Sequence, residues 1–219
     1  MDEIALPKSL TEQTYDILLN AICAGEFDPG ERLNQDDIAG RLKVSRQPVN
    51  SAISILKANG FVEDTGKRSV VVAQISADQF RSIYEFRSAV EPFAVRLAHH
   101  RKPGNAEAVS KELLSRGWSA VKSGDLRLQI QTDFEFHAMI YDWSCNETIT
   151  TAMRNNWHHI RRAMGVVVRQ GISAETSWQE HQKIIDALMS DDVESAENAM
   201  RRHIEKAQHE TASILSQIP

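Results

Sequence analysis

Between Ser9 and Ala24, apolar residues recur at Leu10, Tyr15, Leu18, Leu19 and Ile22, spacings of one to five that predict an amphipathic helix. "GEFDPGERL" follows, and Gly25, Pro29 and Gly30 break the pattern. Asn34 is placed to cap a short second helix running to Leu42, with Ile38, Ala39 and Leu42 turned inward. "KVS" reads as a turn. Ser45 is placed to cap a third helix, and Pro48 falls in its first turn, where no helical amide bond is lost. Val49, Ala52, Ile53 and Leu56 form its inward stripe, and Gly60 ends it. "FVED" and "SVVVA" read as two strands joined by "TGKR". Helix, helix, turn, helix and a two-stranded ribbon make a winged helix-turn-helix over residues 1–75.

Gln74 to Asp78 reads as a linker. No strand pattern occurs after it. Six helices are expected at about residues 77–101, 104–123, 125–142, 146–169, 175–190 and 191–217, with breaks at "KPGN", "KSGD", "SCNE", "RQGIS" and "MSDDVE". "TSWQEH" offers Thr or Ser ahead of Gln179 and Glu180 as a capping signal for the fifth. Residues 76–219 therefore form an all-α helical bundle with short connections. The expected fold class is mainly α, a winged helix-turn-helix followed by a bundle.

Composition adds bounds rather than a function. The 219 residues are 42% hydrophobic and 25% charged, ordinary for a soluble chain of one or two domains. No apolar run is long enough to span a bilayer, and the acidic start "MDEIALPKSL" has no signal-peptide core. Cys23 and Cys145 have no CxxC spacing, which argues against a disulfide framework or thiolate zinc site and fits a cytoplasmic protein. The net charge is −5, so nucleic-acid binding would need a local patch.

The third predicted helix offers such a patch. With its apolar stripe inward, Ser45, Arg46, Gln47 and Asn50 face outward near its start. Recognition helices read base edges with their N-terminal residues. Arg pairs bidentately with guanine, and Gln or Asn with adenine. Arg41, Lys43, Lys67 and Arg68 are placed to contact phosphates. The plainer alternative is a solvated, well-capped helix start. Residues 1–75 carry 8 Lys and Arg against 11 Asp and Glu, so the acidic groups must lie away from any DNA face.

The pieces "GEFDPGERL", "VSRQPV" and "LKANGFVE" resemble the N-terminal domain of GntR-family transcriptional regulators, over roughly residues 9–75. The resemblance implies DNA contact by Ser45, Arg46, Gln47 and Asn50, with the wing around Gly66 and Lys67. The chain departs from the family at "NSA", where Arg-Glu-Ala is common; Asn50 then replaces an Arg and lowers the charge of the reading face.

The bundle carries polar residues on apolar stripes. Ile130, Phe134, His137 and Tyr141 share a face, with Asp133 one turn before His137. His181 lies on a stripe with Ile184, Ile185 and Leu188, and His203 on one with Ala196, Ala199, Met200 and Ala207. Three helices thus each turn a ligand type inward, as bundle metal sites require. One carboxylate and three imidazoles suit a divalent transition metal such as Zn, Ni, Mn or Fe. The alternative is that each histidine is an ordinary core or surface residue. No HExxH motif occurs, so an enzyme is not expected.

"IYEFRSAVEPFAVRLAHHR", "DFEFHAMIYDWSCNE" and "EHQKIIDALMSDDVESAENAMRRHI" resemble the FadR-type effector domain of the FCD class, over roughly residues 77–215. That resemblance implies metal binding by Asp133, His137, His181 and His203, a ligand set missing from the acyl-CoA-binding branch. It also implies a cavity-facing role for Arg87, whose alternative is a surface salt bridge with Glu91 at i+4. A metal beside a cation suits a small organic acid, since Arg fits carboxylates. Arg154, Arg161 and Arg162 are candidates for a second cation. The expected function is a ligand-responsive regulator, in sense a repressor, whose homodimer presents two readers to a short palindrome of double-stranded DNA, with no membrane partner. A bundle that only dimerises is the alternative.

Overall fold

A computed structural model describes residues 8–66, 69–169, 174–190 and 192–215. The chain divides into two compact units, Met1–Ile75 and Ser76–Pro219.

The first unit contains α1 (Leu10–Ala24), β1 (Arg32–Leu33), α2 (Gln35–Leu42), α3 (Arg46–Ala58), β2 (Val62–Asp64) and β3 (Val70–Val72). Ser9 starts α1 with a capping box: its hydroxyl accepts the Glu12 amide, and the Glu12 carboxylate accepts the Ser9 amide. Leu10 is exposed, not inward; Thr14 takes the buried position and donates its hydroxyl to Leu10 O at 2.6 Å. Leu19, Ile22, Val49, Ala52, Leu56, Phe61 and Val72 close one core in which the α3 stripe meets α1 and the sheet.

The sheet has three antiparallel strands in the order β1-β3-β2, one more than the expected ribbon. Gly30, at φ 82°, turns the chain so that its amide reaches Val72 O, and Glu31 O accepts the Val72 amide. β1 is two residues long, too short to show an alternating pattern.

The second unit is α4 (Ala77–Arg101), α5 (Ala106–Ser123), α6 (Leu126–Trp143), α7 (Glu147–Arg169), α8 (Ala174–Met189) and α9 (Val193–Leu215). α4 has the expected span, capped by Ser76; the linker is shorter than expected, since Ala77 and Asp78 are helical. α8 starts at Ala174, so Thr176 and Ser177 lie inside the helix and do not cap it. Pro92 lies inside the continuous α4 and withholds the amide that Ser88 O would accept; the Arg201 guanidinium on α9 donates to that carbonyl instead. α5 and α8 approach closely at Gly117, where a Cβ would lie 2.1 Å from the buried Trp178 ring.

Cys23 is buried and Cys145 exposed, both as free thiols. No helix among the described residues is long and apolar enough to cross a membrane.

Candidate functional site

Two regions carry chemistry, one on each unit. On the first, the α3 stripe is buried, so Ser45, Arg46, Gln47 and Asn50 are all exposed at the helix start, as are Arg41 and Lys43 nearby. Lys43 sits in the left-handed region at φ 54°, closing α2. Ser45 occupies the N-cap position but its hydroxyl makes no capping bond, contrary to expectation. The first-turn amides of α3 thus lack a side-chain acceptor, an arrangement suited to a phosphate oxygen. Gly66 turns the wing at φ 74°; Lys67 and Arg68 lie outside the described residues.

On the second unit, α6, α8 and α9 bring three imidazoles together. His137, His181 and His203 are buried, and one nitrogen of each lies within 4.8 Å of the others. His181 Nε2 is 3.2 Å from His203 Nε2. The Asp133 carboxylate reaches 3.5 Å from His181 Nε2, so it joins the cluster at its edge.

Two glutamates orient the rings. His137 Nδ1 lies 2.8 Å from the Glu91 carboxylate, and His203 Nδ1 lies 2.9 Å from that of Glu180. Each carboxylate makes Nδ1 the donor and leaves Nε2 as the acceptor turned toward the cluster, which is how outer-shell partners orient a metal-binding histidine. Burial first, then the neighbouring His203, His137 and Arg87, hold His181 well below the usual imidazole range. It is therefore a neutral ring, packed face to face on Phe136 at 3.8 Å, with a buried Nδ1 that meets no partner. Neutral imidazoles are the form that binds metals.

Arg87 is buried too. The i+4 pair with Glu91 forms, at 2.5 Å, but inside the core rather than on the surface. Burial alone would raise the Glu91 carboxyl; the Arg87 charge and His137 outweigh it and hold Glu91 below the ordinary carboxylate range. The other end of the guanidinium points inward, with Nη2 3.4 Å from His137 Nε2. Arg87 thus has one edge on Glu91 and one on the cluster. Of the other candidate cations, Arg154 is exposed, Arg161 half-buried and Arg162 buried.

A cavity of about 70 Å³ opens beside the cluster, with Asp133 and Trp178 in its wall and Gln129, Ser177, Glu210 and Thr211 supplying further polar groups. It has room for a handful of water-sized groups. Sequence reasoning missed Glu91 and Glu180 as ring-orienting groups and missed this polar lining. One signal was present: Arg87 and Glu91 continue the α4 stripe of Phe80, Tyr84, Val95 and Ala98, so both sit at core positions.

Known proteins resemble this chain over both units. The model for bacterial regulatory proteins of the gntR family matches residues 10–72, and the FCD domain model matches residues 82–206. The Nta operon transcriptional regulator of Aminobacter aminovorans is 30% identical over 182 residues, 82% of this chain and 84% of that protein. A GntR transcriptional regulator structure from Rhodococcus sp. RHA1 superposes with a TM-score of 0.79 at 26% identity, over 97% of this chain and 100% of the other. The Zn2+-bound FCD domain of another transcriptional regulator shares the fold at a TM-score of 0.53 and 20% identity, over 67% of this chain and 100% of that one. The family and these relatives are regulators of transcription and not enzymes. The chain is a DNA-binding transcriptional regulator of the GntR family, with a C-terminal FCD domain.

Proposed function

We infer that the chain is a ligand-responsive repressor whose FCD domain holds a divalent transition metal and senses a small carboxylate beside it. The observation that carries this reading is the convergence of His137, His181 and His203, two of them backed by glutamates through Nδ1. Such a donor set fits Zn, Ni, Mn or Fe, with Asp133 as the fourth ligand. A bound ion would supply an electrophilic anchor for a carboxylate oxygen. The inward edge of Arg87 is placed to donate to the same carboxylate. The cavity lining includes no Lys or Arg among the described residues, so countercharge for an acid comes from the cluster side.

Ser45, Arg46, Gln47 and Asn50 form the base-reading face, and Arg41, Lys43 and the wing at Gly66 flank it as phosphate contacts. Two chains pair through the FCD domain and present two readers to a palindrome. Phe86 and Phe93, two turns apart on α4 and 38% and 48% exposed, support a pairing face on this unit. The effector acts by binding one arrangement of the two readers more tightly than the other.

Elemental analysis of untagged, dialysed protein tests the centre. About one transition metal per chain, lost in His137→Ala and His203→Ala, is expected; a chain that neither carries nor takes up metal on titration refutes it. With metal bound, a thermal-shift screen of two- to six-carbon carboxylates should raise the midpoint for at least one acid, and Arg87→Ala should abolish that shift.

A further inference from the structure

An ion pair joins the two helices of the DNA reader. Arg46 is the first residue of α3, and its Nε lies 3.0 Å from Asp36 Oδ1 on α2. The two side chains are 63% and 66% exposed. The carboxylate is delivered by a fixed scaffold: the Asp36 amide donates to Asn34 Oδ1 at 3.0 Å, and Ile38 and Ala39 anchor α2 in the core.

Asp36 favours the start of α2, as an acid in a first turn does, but its pairing with Arg46 is not explained by stability. An exposed pair contributes little. A cation in the first turn of α3 opposes the helix dipole, and α3 has no acidic residue there to balance it. A carboxylate beside a reading face also repels phosphates and weakens DNA binding of every sequence. Those costs are coherent if the pair fixes the geometry of Arg46. A guanidinium recognises guanine through two nitrogens placed on O6 and N7. A carboxylate beside Nε leaves the two terminal nitrogens available as a fork. It also biases the side chain against swinging onto a phosphate.

We propose that Asp36 is a specificity-determining positioning residue that holds Arg46 in the orientation for bidentate contact with guanine. It adds no base contact of its own. It raises the contrast between the correct base pair and the rest by lowering affinity for all other sequences.

The test uses the full-length protein and a library of random 30-base-pair duplexes, with bound DNA sequenced for wild type, Arg46→Ala, Asp36→Ala and Asp36→Asn. Wild type should enrich a sequence in which one G·C position is preferred by roughly 5- to 150-fold, the range for one bidentate contact. Arg46→Ala should lose that preference. Asp36→Ala should reduce it by about two- to fivefold at the same position, the range an exposed pair can supply, and leave other positions unchanged, while affinity for unselected duplex rises. Asp36→Asn, which keeps one acceptor oxygen, should fall between. The proposal is overturned if Asp36→Ala keeps the full preference at that position, if preference weakens evenly across the site, or if no G·C position depends on Arg46. Thermal midpoints within a few degrees of wild type would separate the effect from unfolding.

Discussion

Arg46–Asp36 and Arg87–Glu91 are the same chemical pair in opposite surroundings. The first lies on the reader, about two-thirds exposed on both sides, at 3.0 Å. The second lies in the FCD domain, 3% and 0% exposed, at 2.5 Å. Water screens the first, so losing it costs the fold little. The second has traded two hydration shells for one partner each, and for His137 beyond them, so neither member can be released without leaving a buried charge behind. One pair can direct a side chain without carrying the fold; the other holds a centre in shape.

Removing one member of each pair is the strongest way to break the contrast. Glu91→Ala strands Arg87 in the core and should destabilise the FCD domain by about 3–5 kcal/mol, read from urea denaturation. A loss below 1 kcal/mol would show that water reaches Arg87 and that the two pairs do not differ. Glu180→Gln removes the carboxylate behind His203 while keeping the shape; metal affinity should fall about 10- to 100-fold by competition titration, with the fold intact. An unchanged affinity would assign Glu180 only to its ion pair with Lys206.

Gly117→Ala sharpens the comparison from the packing side. The added methyl meets the buried Trp178 ring, and overpacking of this kind costs about 1–3 kcal/mol, visible as a lower denaturation midpoint. The smallest effect is expected for Asp36→Ala. Breaking an exposed pair should alter stability by about 1 kcal/mol or less, so a larger drop in the same urea experiment would place this pair in the structural class after all.

The reader was legible in the sequence because its signals are local. The α3 stripe and turn glycines place Arg46 and its neighbours on the surface from spacing alone. What was not legible depended on partners: β1 exists only because Gly30 and Glu31 find Val72. In the FCD domain, helical period placed all three histidines inward, but it could not show that Glu91 and Glu180 meet rings 46 and 23 residues away in sequence. Arg87 and Glu91 were visible as an i+4 pair, and the surface is the usual place for one. Their burial followed from the apolar residues continuing the same face.

The small sheet of the first unit has a consequence for self-association. β3 is bonded along both sides, and the strands that flank it are only two and three residues long. Long, unprotected strand edges are templates for adding further chains and for fibrils; very short ones offer too few amide and carbonyl groups to do so. This sheet therefore gives another copy almost nothing to extend. Strand addition is not the route by which copies of this unit would meet.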